Sequence, residues 1–117
     1  MKTVFYLSTC TTCKRILGEL NLDSSWVLQD IKKDPITKDQ LEKMGEMAGN
    51  YESLFSRRSI KYKSMGLKDK TLSEEDYKSL ILEEYTFLKR PVIIFDNELF
   101  VGNSKKTIEA ANKAING

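Results

Sequence analysis

The tightest constraint on this chain lies in its first twenty residues. Thr3-Val4-Phe5-Tyr6-Leu7 is rich in β-branched and aromatic side chains and reads as a strand. Ser8-Thr9 follows at once, then Cys10-Thr11-Thr12-Cys13. From Cys13 the spacing turns helical, with Ile16, Leu17 and Leu20 on one face. A strand that passes through a tight turn into a helix must be part of a packed α/β layer. The junction itself carries both cysteines of the chain.

The remaining sequence extends that pattern. Ser25 to Ile31 is a second strand candidate, and Asp34-Pro35 breaks the chain after it. Thr37 with Gln40 three residues on is a capping box, opening a helix with Leu41, Met44 and Met47 on one face. Gly49-Asn50 ends that helix. Tyr51 to Leu67 reads as short helical turns closed by Gly66, and Ser73 caps a further helix whose first turn holds Glu74, Glu75 and Asp76. Arg90 to Phe95 reads as a buried strand starting at Pro91, where a missing N–H does least harm. Asp96-Asn97 is a turn, Glu98 to Val101 returns as a hairpin partner, and Gly102-Asn103-Ser104 leads into a last helix with Ile108, Ala111 and Ile115. The order is βαβα, then helices, then ββα. It predicts a mixed sheet covered by helices in one α/β domain over 1–117.

Composition narrows the chemistry. The chain has 117 residues, a single-domain length, and its 40% apolar content suffices for a core. It has no histidine, which excludes Ser-His-Asp triads, Cys-His dyads and His-ligated metals. Two cysteines alone cannot close a zinc site, so no metal is expected. A net charge of +2 is too small to imply direct nucleic-acid binding. No segment approaches the roughly 20 apolar residues of a membrane span, and the N-terminal apolar stretch is too short for a signal peptide. A soluble, cytoplasmic protein is expected. Charge is uneven, however: Arg57, Arg58, Lys61, Lys63, Lys68 and Lys70 are basic, whereas Glu74, Glu75, Asp76, Glu83 and Glu84 follow as acids. Much of this is a solvated surface.

The C-x-x-C carries the reactive groups. Cys10 falls at or just before the first helical turn, where free backbone N–H groups and the helix dipole favour a thiolate. Cys13 lies one turn on, about 5–6 Å away between Cβ atoms, close enough for a disulfide after slight movement. Cys10 is the expected nucleophile and Cys13 the more buried resolving thiol. A C-x-x-C placed after the first strand is a thioredoxin-like signal.

Four segments together resemble the ArsC/Spx family, the arsenate-reductase-like branch of the thioredoxin fold. They are Leu7 to Lys14 around the cysteines, Leu54-Phe55-Ser56-Arg57-Arg58-Ser59, Arg90-Pro91-Val92-Ile93-Ile94, and Phe100-Val101-Gly102. They occur in family order and spacing across nearly the whole chain. The resemblance implies a thioredoxin-like mixed sheet with an inserted helical region, approximately 37–89. It implies a site gathering Cys10, Arg58 and Arg90, with Pro91 in the cis form beside it. In family members of known activity, the thiolate attacks arsenate, arginines bind the oxyanion, and a second cysteine or an external thiol releases arsenite. The implied substrate is a small oxyanion, with no bound cofactor. The reductant would be glutathione with glutaredoxin, or thioredoxin. Arg58 could instead be a plain surface residue, and Arg90 a structural partner of Glu83 or Glu84.

Two positions depart from the glutaredoxin-linked reductases. Ser8-Thr9 replaces their Asn-Pro, and Val101-Gly102 stands about where they carry a third arginine. The Val-Gly form and the early C-x-x-C are shared with the Spx branch, whose members bind the RNA polymerase α subunit and use the pair as a redox switch. The alternative expectation is therefore a Spx-like regulator.

Overall fold

The computed structural model describes all residues from Met1 to Gly117. β1 (Lys2–Tyr6) is the strand on which the sheet is built. Its Thr3, Val4 and Phe5 are buried in succession, so both of its faces are covered. It pairs in parallel with β2 (Val27–Asp30) and antiparallel with β3 (Val92–Phe95). β4 (Glu98–Val101) pairs antiparallel with β3, giving the order β2-β1-β3-β4. A parallel β1–β2 pair needs a crossover, and α1 (Thr11–Leu20) supplies it. The β3–β4 connection is the short Asp96-Asn97 turn, in which Asp96 takes φ 53°, a left-handed value that Asp tolerates better than most residues.

One face of this sheet holds a core of Val4, Ile93, Ile16, Leu20, Ile108 and Ala111, completed by Trp26. Val4 and Ile93 are register partners on adjacent strands. Ile16 and Leu20 come from α1, and Ile108 and Ala111 from α5 (Lys105–Asn116). Their i, i+4 and i, i+3 spacings place them on single helical stripes. Trp26 stacks on Phe95 at 5.7 Å between ring centroids. The mixed sheet, its strand order in sequence and its flanking helices agree with the expected α/β class.

Element ends differ from the sequence reading where polar side chains decide them. α1 begins at Thr11 with Cys10 as its N-cap, the placement expected for Cys10, although the apolar spacing becomes helical only from Cys13. Apolar periodicity marks only core-facing residues, whereas the first helical hydrogen bond runs from Lys14 N–H to the Cys10 carbonyl at 3.2 Å. β2 begins at Val27 rather than Ser25, because the Ser25 N–H donates to Asp23 Oδ1 at 2.8 Å and closes a local turn. It ends at Asp30, whose carbonyl accepts from Lys33 and Asp34 N–H groups.

The chain divides into two compact units, Met1–Asp34 with Arg90–Gly117, and Pro35–Lys89. The second starts two residues before the expected Thr37. Its α2 (Lys38–Ala48) opens on the predicted Thr37–Gln40 capping box and stops at Gly49, φ 89°. Gly45 in that helix lies against the Tyr51 ring, where a Cβ would come within 2.5 Å. α3 (Ile60–Ser64) is capped by Ser59, and α4 (Glu74–Glu83) by a Ser73–Asp76 box. Short 3₁₀ turns fill Glu52–Leu54, Leu67–Asp69 and Tyr85–Phe87. Phe55 is the centre of this unit: it stacks on Phe87 and tilts against Tyr77, each at 5.0 Å, with Tyr62 at 6.0 Å. The backbone around it pairs with Phe87 to Lys89, through Ser56 N–H to Phe87 O at 2.7 Å and Lys89 N–H to Leu54 O at 2.8 Å. No helix is long and apolar enough to cross a membrane.

Phe55 is fully buried and touches three aromatic rings, so its truncation leaves a large void. Phe55→Ala should lower the unfolding free energy by about 3–5 kcal/mol, read from urea denaturation followed by circular dichroism.

Candidate active site

The site is built on the end of β1. The chain leaves the sheet at Tyr6 and turns through Leu7-Ser8-Thr9-Cys10, closed by Cys10 N–H donating to Leu7 O at 3.0 Å. Cys10 is the N-cap of α1, with extended φ −95° and ψ 111°. Its sulfur is half-buried and lies at the end of the helix where N–H groups are unpaired. Burial alone would disfavour the thiolate. The Cys13 N–H, the Cys13 thiol, the Arg90 charge and the Thr12 N–H outweigh it and hold the Cys10 thiol below its usual range. They do so without a short capping hydrogen bond to the sulfur.

Cys13 is different in kind. It is buried at 1% exposure, and burial is the main reason its thiol is pushed up to about 11. The Leu7 N–H opposes that shift, the hydrogen bond to Cys10 and the Cys10 charge add to it, and the Arg90 charge opposes it. A protonated Cys13 thiol can thus donate toward the Cys10 sulfur. Both cysteines are free, adjacent and unbonded.

Arg90 reaches both sulfurs with its charge. It lies two residues before β3, the neighbour of β1, which is why the strand pairing brings it to the cysteine turn. It forms no ion pair, and its Nε is buried without a protein partner. Of the two carboxylates considered as structural partners for it, Glu83 and Glu84, Glu84 pairs with Lys61 at 3.7 Å. The Arg90–Pro91 bond is cis and Pro91 is buried. Gly102, φ 92°, donates its N–H to Pro91 O at 3.0 Å, a backbone shape that suits glycine.

Arg58 belongs to the second unit. It lies in the bend between the Glu52–Leu54 turn and α3, not on a helix, and its exposed guanidinium has no side-chain partner. Its neighbour Arg57 is occupied: it donates to Glu52 Oε2 at 2.9 Å and to the Tyr77 hydroxyl at 3.1 Å, and packs 5.8 Å from the Tyr77 ring. The structure therefore joins Cys10, Cys13, Arg90 and Pro91 within one unit and leaves Arg58, unlike Arg57, uncommitted in the other. One contact at the cysteine turn was not legible in the sequence. Ser8 N–H donates to Asp30 Oδ1 at 3.3 Å, across 22 residues. No group of three His, Cys, Asp or Glu side chains is arranged to hold a metal ion.

Comparison with known proteins places this geometry. A profile described as the ArsC family matches residues 5–111. The chain belongs to the ArsC family. Among curated relatives, the global transcriptional regulator Spx of Streptococcus mutans is 27% identical over 112 residues, covering 94% of this chain and 82% of its own. Among solved structures, an ArsC family related protein from Bacteroides fragilis superposes with a TM-score of 0.77 at 23% identity, covering 94% of this chain and 96% of the other. An arsenate reductase from Vibrio cholerae gives 0.73 at 16% identity, with 96% and 95% covered. These two likenesses concern the fold, which is the thioredoxin-like fold of the ArsC proteins. The family match includes every residue named above, from Cys10 to Gly102.

The two thiols should titrate far apart. Peptide-resolved alkylation with iodoacetamide, followed against pH, should show Cys10 reacting with a midpoint below that of an ordinary thiol. Cys13 should resist until the pH nears 11. Arg90→Gln removes a positive charge, so the Cys10 midpoint should rise. Cys10→Ser removes the neighbouring thiolate, so the Cys13 midpoint should fall.

Proposed function

We propose that this ArsC-family protein is a cytoplasmic thiol-dependent oxidoreductase acting on arsenate or a similar small oxyanion. The carrying observation is the asymmetry of the cysteine pair: an accessible Cys10 favoured as thiolate, beside a buried and protonated Cys13. Such a pair supplies a nucleophile without any base, as a chain with no histidine requires.

The proposed cycle balances as follows. The Cys10 thiolate attacks the pentavalent arsenic, forming an S–As bond while one arsenate oxygen leaves as water after protonation. The Cys13 sulfur, losing its proton to solvent, then attacks the Cys10 sulfur. The S–As bond breaks and its electron pair stays on arsenic, releasing arsenite. Cys10 and Cys13 are left oxidised as a disulfide, which an external thiol reduces, either glutathione with glutaredoxin or thioredoxin. Arg90, whose Nε is buried without a protein partner, would hold the oxyanion oxygens. The α1 N-terminus beside Cys10 adds its dipole to that attraction.

In purified protein supplied with arsenate and either thiol system, turnover should be measurable as NADPH consumption through the coupled reductase. Cys10→Ser should abolish it. Arg90→Ala should cost on the order of 10²–10³-fold, the usual loss for one oxyanion ligand. Wild-type activity no greater than that of Cys10→Ser would refute the enzyme reading.

A second reading has its own support. Curated relatives spanning over nine-tenths of the chain are named as the transcriptional regulator Spx, and Val101-Gly102 replaces the third arginine of the reductases. On this reading the same cysteine pair is a redox switch on an RNA polymerase partner, with no small-molecule turnover. It requires that immobilised protein retain RNA polymerase α subunit and that oxidation change the amount retained. No retention in either redox state would eliminate it.

A further inference from the structure

We propose that Asp30 is a positioning residue for the nucleophile: its carboxylate anchors the turn that presents Cys10 at the start of α1. The inference deepens the nucleophile reading of Cys10 and rests on it.

Cys10 N–H is taken by Leu7 O at 3.0 Å. Leu7 N–H faces the Cys13 sulfur. Ser8 N–H has no carbonyl partner, and its acceptor is Asp30 Oδ1 at 3.3 Å. The same oxygen accepts from Lys32 N–H at 3.2 Å. One carboxylate oxygen therefore ties the turn after β1 to the turn after β2. The sheet register explains why it can. Asp30 is the β2 partner of Tyr6, the last residue of β1, so its side chain starts where the cysteine turn departs. Ile31 N–H donates to Tyr6 O at 2.9 Å and locks that placement.

The charge environment agrees with an anchor. The Ser8 hydroxyl, followed by the Ser8 and Lys32 N–H groups and the Lys33 charge, holds the Asp30 carboxyl below the usual carboxylate range. It is therefore ionised at neutral pH, and bonds to a charged acceptor are the stronger kind. Its other oxygen, Oδ2, is buried without a hydrogen-bond partner. A half-satisfied carboxylate is a costly choice for stability alone. Arg90 lies on the opposite side of β1 at the same end of the sheet, so Asp30 holds one flank of the turn and Arg90 charges the other.

The sign of the effect separates positioning from electrostatics. A nearby negative charge disfavours a thiolate, so removing the charge of Asp30 should by itself ease ionisation of Cys10. Losing the anchor acts the other way, because the sulfur leaves the N–H groups of Thr12 and Cys13. The test is the pH profile of Cys10 alkylation in the full chain, with Cys10 and Cys13 resolved by peptide fragmentation. Asp30→Ala should raise the midpoint by about one unit, which is about tenfold slower reaction below it. Asp30→Asn keeps an acceptor oxygen and the shape, and should stay near wild type. Any other ordering overturns the proposal: both unchanged, both lowered, or both raised alike.

Should Asp30→Ala fail to fold, the wild-type protein still decides. The Ser8 amide resonance should shift with the Asp30 carboxyl titration in acid, and a Ser8 amide indifferent to it overturns the anchor. If wild-type Cys10 alkylates with the midpoint of an ordinary thiol, the nucleophile reading fails. The Ser8 amide then still judges the anchor by itself.

Discussion

The physical constraint on which the site depends is the need to satisfy backbone N–H groups where β1 leaves the sheet. Inside the sheet, β1 has partners on both sides. Past Tyr6 it has none, and the next residues must turn into a helix whose own first N–H groups are unpaired. The chain resolves this with a turn carbonyl, a carboxylate from β2 and two sulfurs. The reactive cysteine is thus placed where a strand end and a helix start both leave N–H groups in need of negative charge. The same N–H groups lower the pKa of its thiol.

Much of this was legible in the sequence, for definite reasons. The Thr37–Gln40 box, Ser73, Gly49 and the final helix after Ser104 were readable because caps are local and act over three residues. The sheet class was readable because β-branched runs at Thr3 and Val92 bracket the chain, and the cysteine spacing labelled the first junction. Element ends were less legible. The start of β2 is set by a single polar contact at Ser25 that no periodicity records. The Ser8–Asp30 contact was illegible in principle: it joins residues 22 apart and exists only once the β1–β2 register is set.

The two arginines of the Ser56-Arg57-Arg58 segment show the same limit. In sequence they are adjacent, and only the family resemblance singles out Arg58. In the structure Glu52 and Tyr77 claim Arg57, through contacts 5 and 20 residues away, and leave Arg58 exposed. The choice between them is made by α4, which brings Tyr77 under the Arg57 guanidinium. A motif therefore names the segment, but packing decides which of its charges remains available to an anion.

Absence of histidine shapes how the cysteine pair must work. With no imidazole to move protons, each step has to change the acidity of the next thiol by itself. The electrostatics do this. While Cys10 is a thiolate, its charge and its hydrogen bond add to burial in keeping Cys13 protonated, so the two thiols cannot ionise together. Once Cys10 forms a covalent bond, that charge is gone and the acceptor is weakened. The opposing influences of the Leu7 N–H and the Arg90 charge persist, so Cys13 becomes more acidic just when it has a target one helical turn away. On the proposed reading, Cys13 stays protonated while Cys10 is a thiolate and becomes more acidic once Cys10 has reacted. That order of events follows equally for a catalytic cycle and for a switch, because both begin at Cys10.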